Sequence, residues 1–335
     1  MKAIVYTANG PSDVLGLTEQ RPVPEPGPGE VRVAVRVSGV NPTDWKSRAG
    51  SAPAGEQVPN QDGSGVVDAV GPGVAAERVG ERVWIWEAAW QRADGTAQEY
   101  LVLPGEQAVP LPEGASFELG ASIGIPAMTA HRALTLGAGG PDRLAPGALA
   151  GRTVLVAGGA GAVGNAAIQL ARWAGATVLS TVSGPAKGAL ATAAGAQHVV
   201  DYRAGDAAEA VRGFAPDGVD LIVEVAPGTN AALDLAVLRP GGTVAFYADG
   251  SGPEVTLPVR ELMVRNLRWQ GVLIYTIPRE AKLDAVAAIT AALGAGALRV
   301  GEEAGLPLHH YPLEQTAAAH DAVQSGAVGK VLITL

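Results

Sequence analysis

Three glycines near the middle of the chain have the spacing of a dinucleotide-binding motif. Gly159, Gly161 and Gly164 fit the pattern G-x-G-x-x-G, and they follow the apolar run 153–157. In this motif the first glycine allows a tight turn, the second lets the backbone approach a phosphate, and the third lets a helix pack closely on its strand. The helix that follows offers free N–H groups and the positive end of its dipole. The residues predicted to contact a pyrophosphate are Gly159, Gly161, Ala162, Val163 and Gly164.

The residues around these glycines favour a nucleotide site over a glycine-rich turn that binds nothing. Glycine is common in this chain, with 45 among 335 residues, so the motif alone is weak evidence. Val154, Leu155 and Val156 read as a buried parallel strand, and apolar residues recur at helical spacing over 163–174. The segment 176–182 supplies the next strand. This pattern predicts the strand and helix of a dinucleotide-binding unit.

The second strand indicates which dinucleotide is bound. An NAD-binding unit usually carries Asp or Glu about 20 residues beyond the fingerprint, where it binds the ribose 2′-hydroxyl. No acidic residue occurs over 165–200, whereas Ser180, Thr181 and Ser183 end the strand and Lys187 follows. Hydroxyl groups and a cation suit a 2′-phosphate, although Lys187 also fits a solvated position on the next helix. The sequence therefore favours NADPH over NADH.

Length, net charge and composition exclude several classes of partner and site. A chain of 335 residues corresponds to about two domains, and its net charge of -9 argues against a nucleic-acid partner. The absence of cysteine excludes disulfides, a thiol nucleophile and a thiolate zinc site. No clean apolar run reaches the ~18 residues of a membrane span, and residues 1–6 read as a strand rather than a signal peptide. We expect a cytoplasmic protein without a metal site.

The elements on either side of the fingerprint differ in kind. The preceding part is mostly β, with strand candidates at 2–7, 30–38, 65–70, 82–86 and 99–103, separated by Pro and Gly turns. A helical pattern follows over 117–136 and is interrupted at Pro126. After the fingerprint, apolar strands alternate with helical stretches, at 197–201, 221–225, 243–248 and 267–274. This alternation predicts a doubly wound parallel sheet.

Segments spread along the whole chain resemble the zinc-free quinone oxidoreductase branch of the medium-chain dehydrogenase/reductase superfamily, which includes zeta-crystallin. Besides the fingerprint, they are 38–44 (SGVNPTD), 59–67 (PNQDGSGVV), 79–83, 121–133, 239–243 and 329–331. The resemblance implies an α/β fold with two domains. A GroES-like β-rich catalytic domain would comprise 1–125 and 270–335, and a Rossmann domain with a doubly wound parallel sheet would comprise 126–269. It also implies a homodimer.

Departures from the zinc branch of that superfamily indicate the chemistry. Where that branch has Cys and a Gly-His-Glu run, this chain has Asn41, Gln61 and Asp62. Without a Lewis acid, removal of hydride from an alcohol is difficult at neutral pH, and reduction of an electrophilic acceptor is easier. The resemblance thus implies a zinc-independent quinone oxidoreductase, in which NADPH transfers hydride to a quinone in the interdomain cleft. The protein orients the acceptor, donates a hydrogen bond to its oxygen and excludes water.

Four residues are candidates for catalysis, and a fifth, Trp90, is a candidate contact of the acceptor. The resemblance places Asn41 beside the nicotinamide, where its amide would donate to the developing oxyanion, although an Asn-Pro turn explains it too. Trp45 would stack on a flat acceptor or simply pack. Gln61 and Asp62 would line the cleft, with a turn cap as the alternative for Asp62, and Trp90 begins a loop that could reach the acceptor. No tyrosine occupies the place of Trp45, so we expect the proton to come from water.

The resemblance also assigns further contacts with NADPH. It directs Thr129 to the nicotinamide-side phosphate, Lys187 to the 2′-phosphate and Tyr202 to the adenosine. The remaining assigned residues are Ser183, Phe246, Val272, Leu273 and Lys330. Core packing is the alternative for Phe246, and a surface position is the alternative for Lys330.

Two other functions remain open from the sequence. An enone or enoyl reductase would use the same scaffold and hydride donor on an α,β-unsaturated carbonyl. A non-catalytic, crystallin-like protein would bind NADPH without turnover. In either enzyme the partner is a small molecule.

Overall fold

The structure, a computed structural model, describes residues 1–335. It contains two compact units, one formed by Met1–Ile125 with Pro307–Leu335 and the other by Pro126–Leu306. The strands are β1 (Ala3–Val5), β2 (Gly16–Thr18), β3 (Glu30–Val40), β4 (Asp62–Val70), β5 (Arg82–Ile85), β6 (Tyr100–Pro104), β7 (Ala108–Pro110), β8 (Thr153–Ala157), β9 (Thr177–Val182), β10 (His198–Asp201), β11 (Val219–Glu224), β12 (Leu238–Phe246), β13 (Arg268–Gly271), β14 (Leu308–Pro312) and β15 (Lys330–Thr334). The α-helices are α1 (Pro42–Gly50), α2 (Phe117–Thr135), α3 (Ala162–Trp173), α4 (Pro185–Ala194), α5 (Ala207–Phe214), α6 (Pro227–Val237), α7 (Val259–Arg265), α8 (Arg279–Gly294) and α9 (Thr316–Gln324).

The second unit is built on a six-stranded parallel sheet in the order β10-β9-β8-β11-β12-β13. Numbered from β8, this is the order 3-2-1-4-5-6 of a doubly wound dinucleotide-binding sheet. The central strands are apolar because helices cover both faces of such a sheet, and Leu155, Leu179 and Ile222 lie in its core. The predicted fold class is confirmed for this unit.

The first unit contains a seven-stranded sheet in the order β14-β15-β3-β4-β5-β7, with β6 also paired to β3. All of these pairs are antiparallel except β14 with β15. Alternating valines of β3, such as Val31, Val33 and Val35, fill the core. The last strand of the chain, β15, pairs with β3, so the carboxyl-terminal segment completes a sheet that the amino-terminal segment begins. This agrees with the GroES-like fold that we expected.

The chain returns to the first unit later than the sequence led us to expect. We placed the return near residue 270, but residues 270–306 pack within the second unit. Strand β13 extends the parallel sheet beside β12. The side chain of Gln169 in α3 bonds to both backbone groups of Arg299, and Asn165 Nδ2 donates to Ala304 O. These contacts fix the segment 270–306 within the second unit. The chain therefore returns to the first unit only at Pro307.

Pro126 lies within α2 and does not interrupt it, contrary to the interruption that we predicted. A proline inside a helix removes one hydrogen bond and costs about 3 kcal/mol. Residues 120–131 of this helix are all buried. Burial of both faces therefore outweighs the lost bond and keeps the helix continuous.

No helix of the structure combines the length and the apolar character that crossing a membrane would require.

Candidate functional site

Three strand ends of the first unit meet at one edge of its sheet. Asn41 directly follows β3, Asp62 begins β4 and Lys330 begins β15. The register pairs Gly39 with Asp62 and Val40 with the residue after Lys330. Antiparallel pairing of β3 with both neighbours thus places the three side chains together.

These side chains form a closed hydrogen-bond network. Lys330 Nζ donates to Asn41 Oδ1 at 2.7 Å and to Asp62 Oδ2 at 3.2 Å. Asn41 Nδ2 donates to Asp62 Oδ2 at 2.7 Å. The other oxygen of Asp62 accepts the Ile125 N–H at 2.7 Å. We refer to Asn41, Asp62 and Lys330 as the buried triad.

The buried triad has almost no contact with solvent. Its side chains are at most 3% exposed. Burial raises the pKa of Asp62, and the neighbouring Lys330 ammonium opposes that rise. Removing one partner from a buried ion pair is strongly destabilising because it leaves the other charge uncompensated. The triad therefore links the ends of β3, β4 and β15 by buried side-chain bonds.

This arrangement differs from two of our expectations. We expected the Asn41 amide to donate to an acceptor, but its amide oxygen and nitrogen bond within the triad. We expected Lys330 to contact the cofactor, but its ammonium is 1% exposed and bonds to Asn41 and Asp62. The sequence could not indicate this because the partners lie far apart along the chain.

Asp44 continues the network into α1. Its Oδ2 accepts the Asn41 N–H at 2.6 Å, which is the acidic half of a capping box at the start of the helix. Its Oδ1 accepts the Gln61 N–H at 3.2 Å. Burial raises the pKa of Asp44 to about 8, and the Asp62 carboxylate adds to that rise. The carboxyl is therefore mostly protonated at pH 7.

Asn60 holds the segment before β4 in an unusual conformation. Its φ of 80° lies in the left-handed region, which only a small fraction of residues other than glycine adopt. Its side chain is fixed by two bonds, from Nδ2 to Ser38 Oγ at 3.0 Å and between Oδ1 and His320 Nε2 at 2.9 Å. Burial and the nearby Arg48 lower the pKa of His320 to about 3, so the neutral ring donates to Asn60. The conformation of this turn fixes the orientation of the next residue, Gln61.

A cavity of about 210 Å³ lies beside this turn, within the first unit. Its walls come from α1, from the segment before β4 and from the turn after β5. They include Tyr6, Asp44, Gln57, Gln61 and Trp90. Gln61 Oε1 accepts the Ala89 N–H at 3.1 Å, which leaves the Nε2 group as the donor that Gln61 can present to a ligand.

The structure places the predicted catalytic residues in different surroundings. Gln61 lines the cavity, as does Trp90, whereas Asn41 and Asp62 belong to the buried triad. Trp45 is partly buried in α1 and is not among the residues of the cavity wall. Tyr6 and Asp44 do line the cavity, and our sequence analysis named neither as a candidate. Asp44 had a recognisable signal, because the spacing Asn41-x-x-Asp44 is that of a helix cap, but Tyr6 had none.

In the second unit, the glycine fingerprint forms the turn between β8 and α3. A Cβ atom at Gly159 would collide with Ser180 Oγ and Ile168 Cδ1, and one at Gly164 would collide with Gly158 O. At Gly161 only Gly158 O, at 3.5 Å, lies within 4 Å of such an atom. We expected Gly159 to allow the tight turn, and the residue of the turn with a left-handed conformation is Gly158, with φ 70°. Glycine is required at positions 159 and 164 because any larger side chain would collide with neighbouring atoms.

The turn fits a pyrophosphate. Helix α3 has 12 residues, and its N-cap is Gly161, without a side-chain cap. Its first N–H groups, which include those of Ala162 and Val163, are therefore available to an anion. Open space beside Gly161 allows the phosphate to approach the backbone. These residues would hold a dinucleotide.

Most other predicted cofactor residues lie at the same edge of this sheet, because the carboxyl ends of parallel strands meet there. Lys187 Nζ donates to Ser183 Oγ at 3.0 Å just after β9. Ser180 Oγ is instead buried and bonded to Val156 O. The others follow or end β10, β12 and β13, as Tyr202, Phe246, Val272 and Leu273.

Thr129 is buried in α2. Two buried carboxyls that the sequence analysis did not single out, Glu224 at the end of β11 and Asp234 in α6, lie close together. Burial and the Glu224 charge raise the pKa of Asp234. Asn230 Nδ2 donates to Glu224 Oε1 at 3.0 Å, which ties the strand end to α6.

No group of three or more His, Cys, Asp or Glu side chains is arranged to hold a metal ion. Asn41, Gln61 and Asp62 are engaged in bonds with other protein groups.

Both units of the chain match known protein families. Residues 27–113 match the family model of the alcohol dehydrogenase GroES-like domain, and residues 162–291 match that of zinc-binding dehydrogenases. Quinone oxidoreductase from Rattus norvegicus is 32% identical over 344 residues, which cover 100% of this chain and 98% of the relative.

Solved structures agree over the full length. An NAD-dependent alcohol dehydrogenase is 31% identical with a TM-score of 0.86, and both chains are covered to 100%. The quinone oxidoreductase from Thermus thermophilus, solved also in complex with NADPH, is 29% identical with a TM-score of 0.79 and the same coverage.

Substitution of Asn60 separates backbone strain from side-chain bonding. Asn60→Gly keeps the positive φ but loses the bonds to Ser38 and His320, so the free energy of unfolding should fall by about 1–3 kcal/mol. Asn60→Ala loses the same bonds but, unlike the glycine variant, has a Cβ at positive φ, so its loss should be about 1 kcal/mol larger. Urea unfolding measures both.

The control is Gln91, which also has a positive φ, 56°, but is exposed. Gln91→Gly should change the stability by no more than about 0.5 kcal/mol. Equal losses for the two Asn60 variants would contradict the assignment of strain to this turn.

Proposed function

Since the chain belongs to the medium-chain dehydrogenase/reductase superfamily and to its quinone oxidoreductase-like members, we propose that it reduces a quinone with NADPH without zinc. That it is an NADPH-dependent oxidoreductase rests on its full-length relatives. The choice of a quinone as acceptor and the independence from zinc are the proposal.

One observation carries the proposal. The positions where zinc-dependent relatives would carry metal ligands hold Asn41, Gln61 and Asp62, and these side chains bond to Lys330 and to backbone groups. The amides of Asn41 and Gln61 are poor zinc ligands beside the Cys, His and carboxylate groups that zinc prefers. The one carboxylate, Asp62, is paired with the Lys330 ammonium. An acceptor that is already electrophilic needs no Lewis acid, and a quinone is such an acceptor.

Different residues of the chain bind the cofactor and orient the acceptor. When bound, NADPH supplies the hydride from its nicotinamide C4. The N–H groups at the start of α3 hold the pyrophosphate, and Lys187 with Ser183 binds the 2′-phosphate. Gln61 Nε2 donates a hydrogen bond to an oxygen of the acceptor in the cavity. This bond strengthens as negative charge develops on that oxygen.

The size of the cavity favours a small acceptor. Its volume of about 210 Å³ lies below the roughly 300–1,000 Å³ of pockets for drug-sized ligands. A single-ring quinone suits this space better than a polycyclic quinone does. The walls suit it as well, because Tyr6 and Trp90 are aromatic and Gln61 and Asp44 are polar.

A second activity uses the same features. The Gln61 donor would also stabilise the enolate oxygen that forms when hydride adds to an α,β-unsaturated carbonyl. An enone or enoyl reductase is therefore the alternative enzyme.

An acceptor panel tests the proposed function. Steady-state oxidation of NADPH should be fast with single-ring 1,4-quinones, slower with three-ring quinones, and slowest with 2-alkenals and enoyl thioesters. Dialysis against a metal chelator should leave the rates unchanged, and elemental analysis should find no stoichiometric zinc. Activity on alkenals alone would favour the alternative reductase. Tight NADPH binding without turnover on any acceptor would favour a non-catalytic role.

Substitution of Lys187 tests the cofactor preference. Lys187→Ala removes the cation assigned to the 2′-phosphate, so KM for NADPH should rise roughly 10-fold or more, which corresponds to about 1.4 kcal/mol. KM for NADH should change by less than about twofold, because NADH lacks that phosphate. Arg172→Ala, a loss of positive charge on α3, is the control and should affect neither value. Equal effects on both cofactors would remove the role assigned to Lys187.

We also propose a homodimer formed through the second unit. Strand β13 is an edge of the parallel sheet and therefore has backbone groups without a strand partner. Next to it in the chain, α7 exposes Val259, Met263 and Val264, each about 70% exposed. An apolar surface beside an open strand edge suits a second copy of the same chain.

Light scattering after size-exclusion chromatography tests this assembly. The unaltered chain should have the mass of a dimer, and Met263→Glu should shift it towards the monomer because a charge would be buried at the interface. Val79→Glu, the same kind of change in the first unit at a side chain that is 50% exposed, should leave the mass unchanged. A monomeric unaltered chain would contradict the proposal.

A further inference from the structure

The cavity of the first unit contains a carboxyl that the proposed hydride transfer leaves without a role. Asp44 lies at its wall and is 4% exposed. Reduction of a quinone by hydride produces the hydroquinone monoanion, and this anion must gain one proton to become the hydroquinone. A donor with access to the acceptor is therefore required.

The geometry of Asp44 suits this task. Each of its oxygens accepts one backbone N–H, Asn41 N at 2.6 Å and Gln61 N at 3.2 Å. A carboxyl oxygen has a second lone-pair direction, so Asp44 can carry a proton without losing either bond. Gln61, whose N–H holds Asp44, also lines the cavity with its side chain. The proton donor and the hydrogen-bond donor are thus fixed relative to each other.

We propose that Asp44 donates the proton that completes reduction of the acceptor, with Gln61 holding the acceptor oxygen beside it. The proposal rests on the proposed reduction of a quinone. The O–H bond of Asp44 breaks, and a new O–H bond forms on the oxyanion of the hydroquinone monoanion. The Asp44 carboxylate then takes a proton from water. Over one turnover, NADPH, quinone and one proton become NADP+ and hydroquinone.

The surroundings of Asp44 agree with this role. Burial and Asp62 raise its pKa, and Lys330 opposes the rise. The result, about 8, keeps the acid protonated at neutral pH and lies near the pH at which it must act, which is the condition for efficient acid catalysis. Tyr6, which interacts electrostatically with Asp44, is the other titratable group near it. Burial raises the pKa of Tyr6 above its usual 10, so Tyr6 is a weaker acid than Asp44.

The first test is the pH dependence of kcat with saturating NADPH and a 1,4-benzoquinone. Because the protonated acid is the active form, kcat should be constant well below pH 8 and fall as the pH rises through about 8. Asp44→Asn should lower kcat roughly 100-fold to 10,000-fold and abolish the alkaline fall. Its KM for NADPH should stay within about twofold. Tyr6→Phe is the matched control and should keep the alkaline fall.

The second test needs no turnover and detects the proton directly. Infrared difference spectra of the protein between pH 7 and pH 9.5 should show loss of the C=O stretch of a protonated carboxyl. This band should be missing in Asp44→Asn. Burial also raises the pKa of Asp62, Glu224 and Asp234. The Asp44 band is therefore the one that is missing in Asp44→Asn and persists in Asp234→Asn and in Glu224→Gln. Circular dichroism confirms that each variant is folded.

The outcomes separate the two proposals. Absence of quinone turnover in the unaltered chain would overturn the proposed function, and the proton donor with it. Turnover that keeps its rate and its alkaline fall in Asp44→Asn would overturn the proton donor alone. Loss of the alkaline fall in Tyr6→Phe would do the same and would assign the proton to Tyr6.

Discussion

The buried triad of Asn41, Asp62 and Lys330 is the constraint on which the functional part of the first unit depends. It joins the ends of three strands through side chains with almost no exposure to water. A buried ammonium and a buried carboxyl are each costly alone, and each is tolerable only because the other is in place. Two of its members, Asn41 and Asp62, stand where the sequence resemblance places ligands of the zinc branch, and here they bond to each other and to Lys330.

The residues beside the triad are placed by it. Asn41 starts α1, and its N–H holds Asp44. Asp62 starts β4, and the turn before it directs Gln61 towards the cavity. The left-handed Asn60 is held in that turn by a neutral histidine from α9. Gln61 and Asp44 line the cavity, and they are the groups that we propose act on the acceptor.

Local patterns predicted the second unit well, because the glycine fingerprint and the apolar strands around it are contiguous in sequence. The site of the first unit was harder to predict. Asn41 and Lys330 are 289 positions apart, and no spacing reveals such a pair, so Lys330 was assigned to the cofactor and Asn41 to the acceptor. The return at Pro307 was missed for a similar reason, since the helical pattern of α8 does not indicate which unit it packs against.

A double-mutant cycle on Lys330 and Asp62, read by urea unfolding, tests the central claim most directly. Lys330→Met and Asp62→Asn should each lower the free energy of unfolding by about 3–5 kcal/mol, because each leaves a buried group without its partner. The double variant should lose much less than the sum of the two, since it leaves neither charge buried. Additive losses would show that the two residues act independently, and they would contradict the buried triad as the tie that places the site.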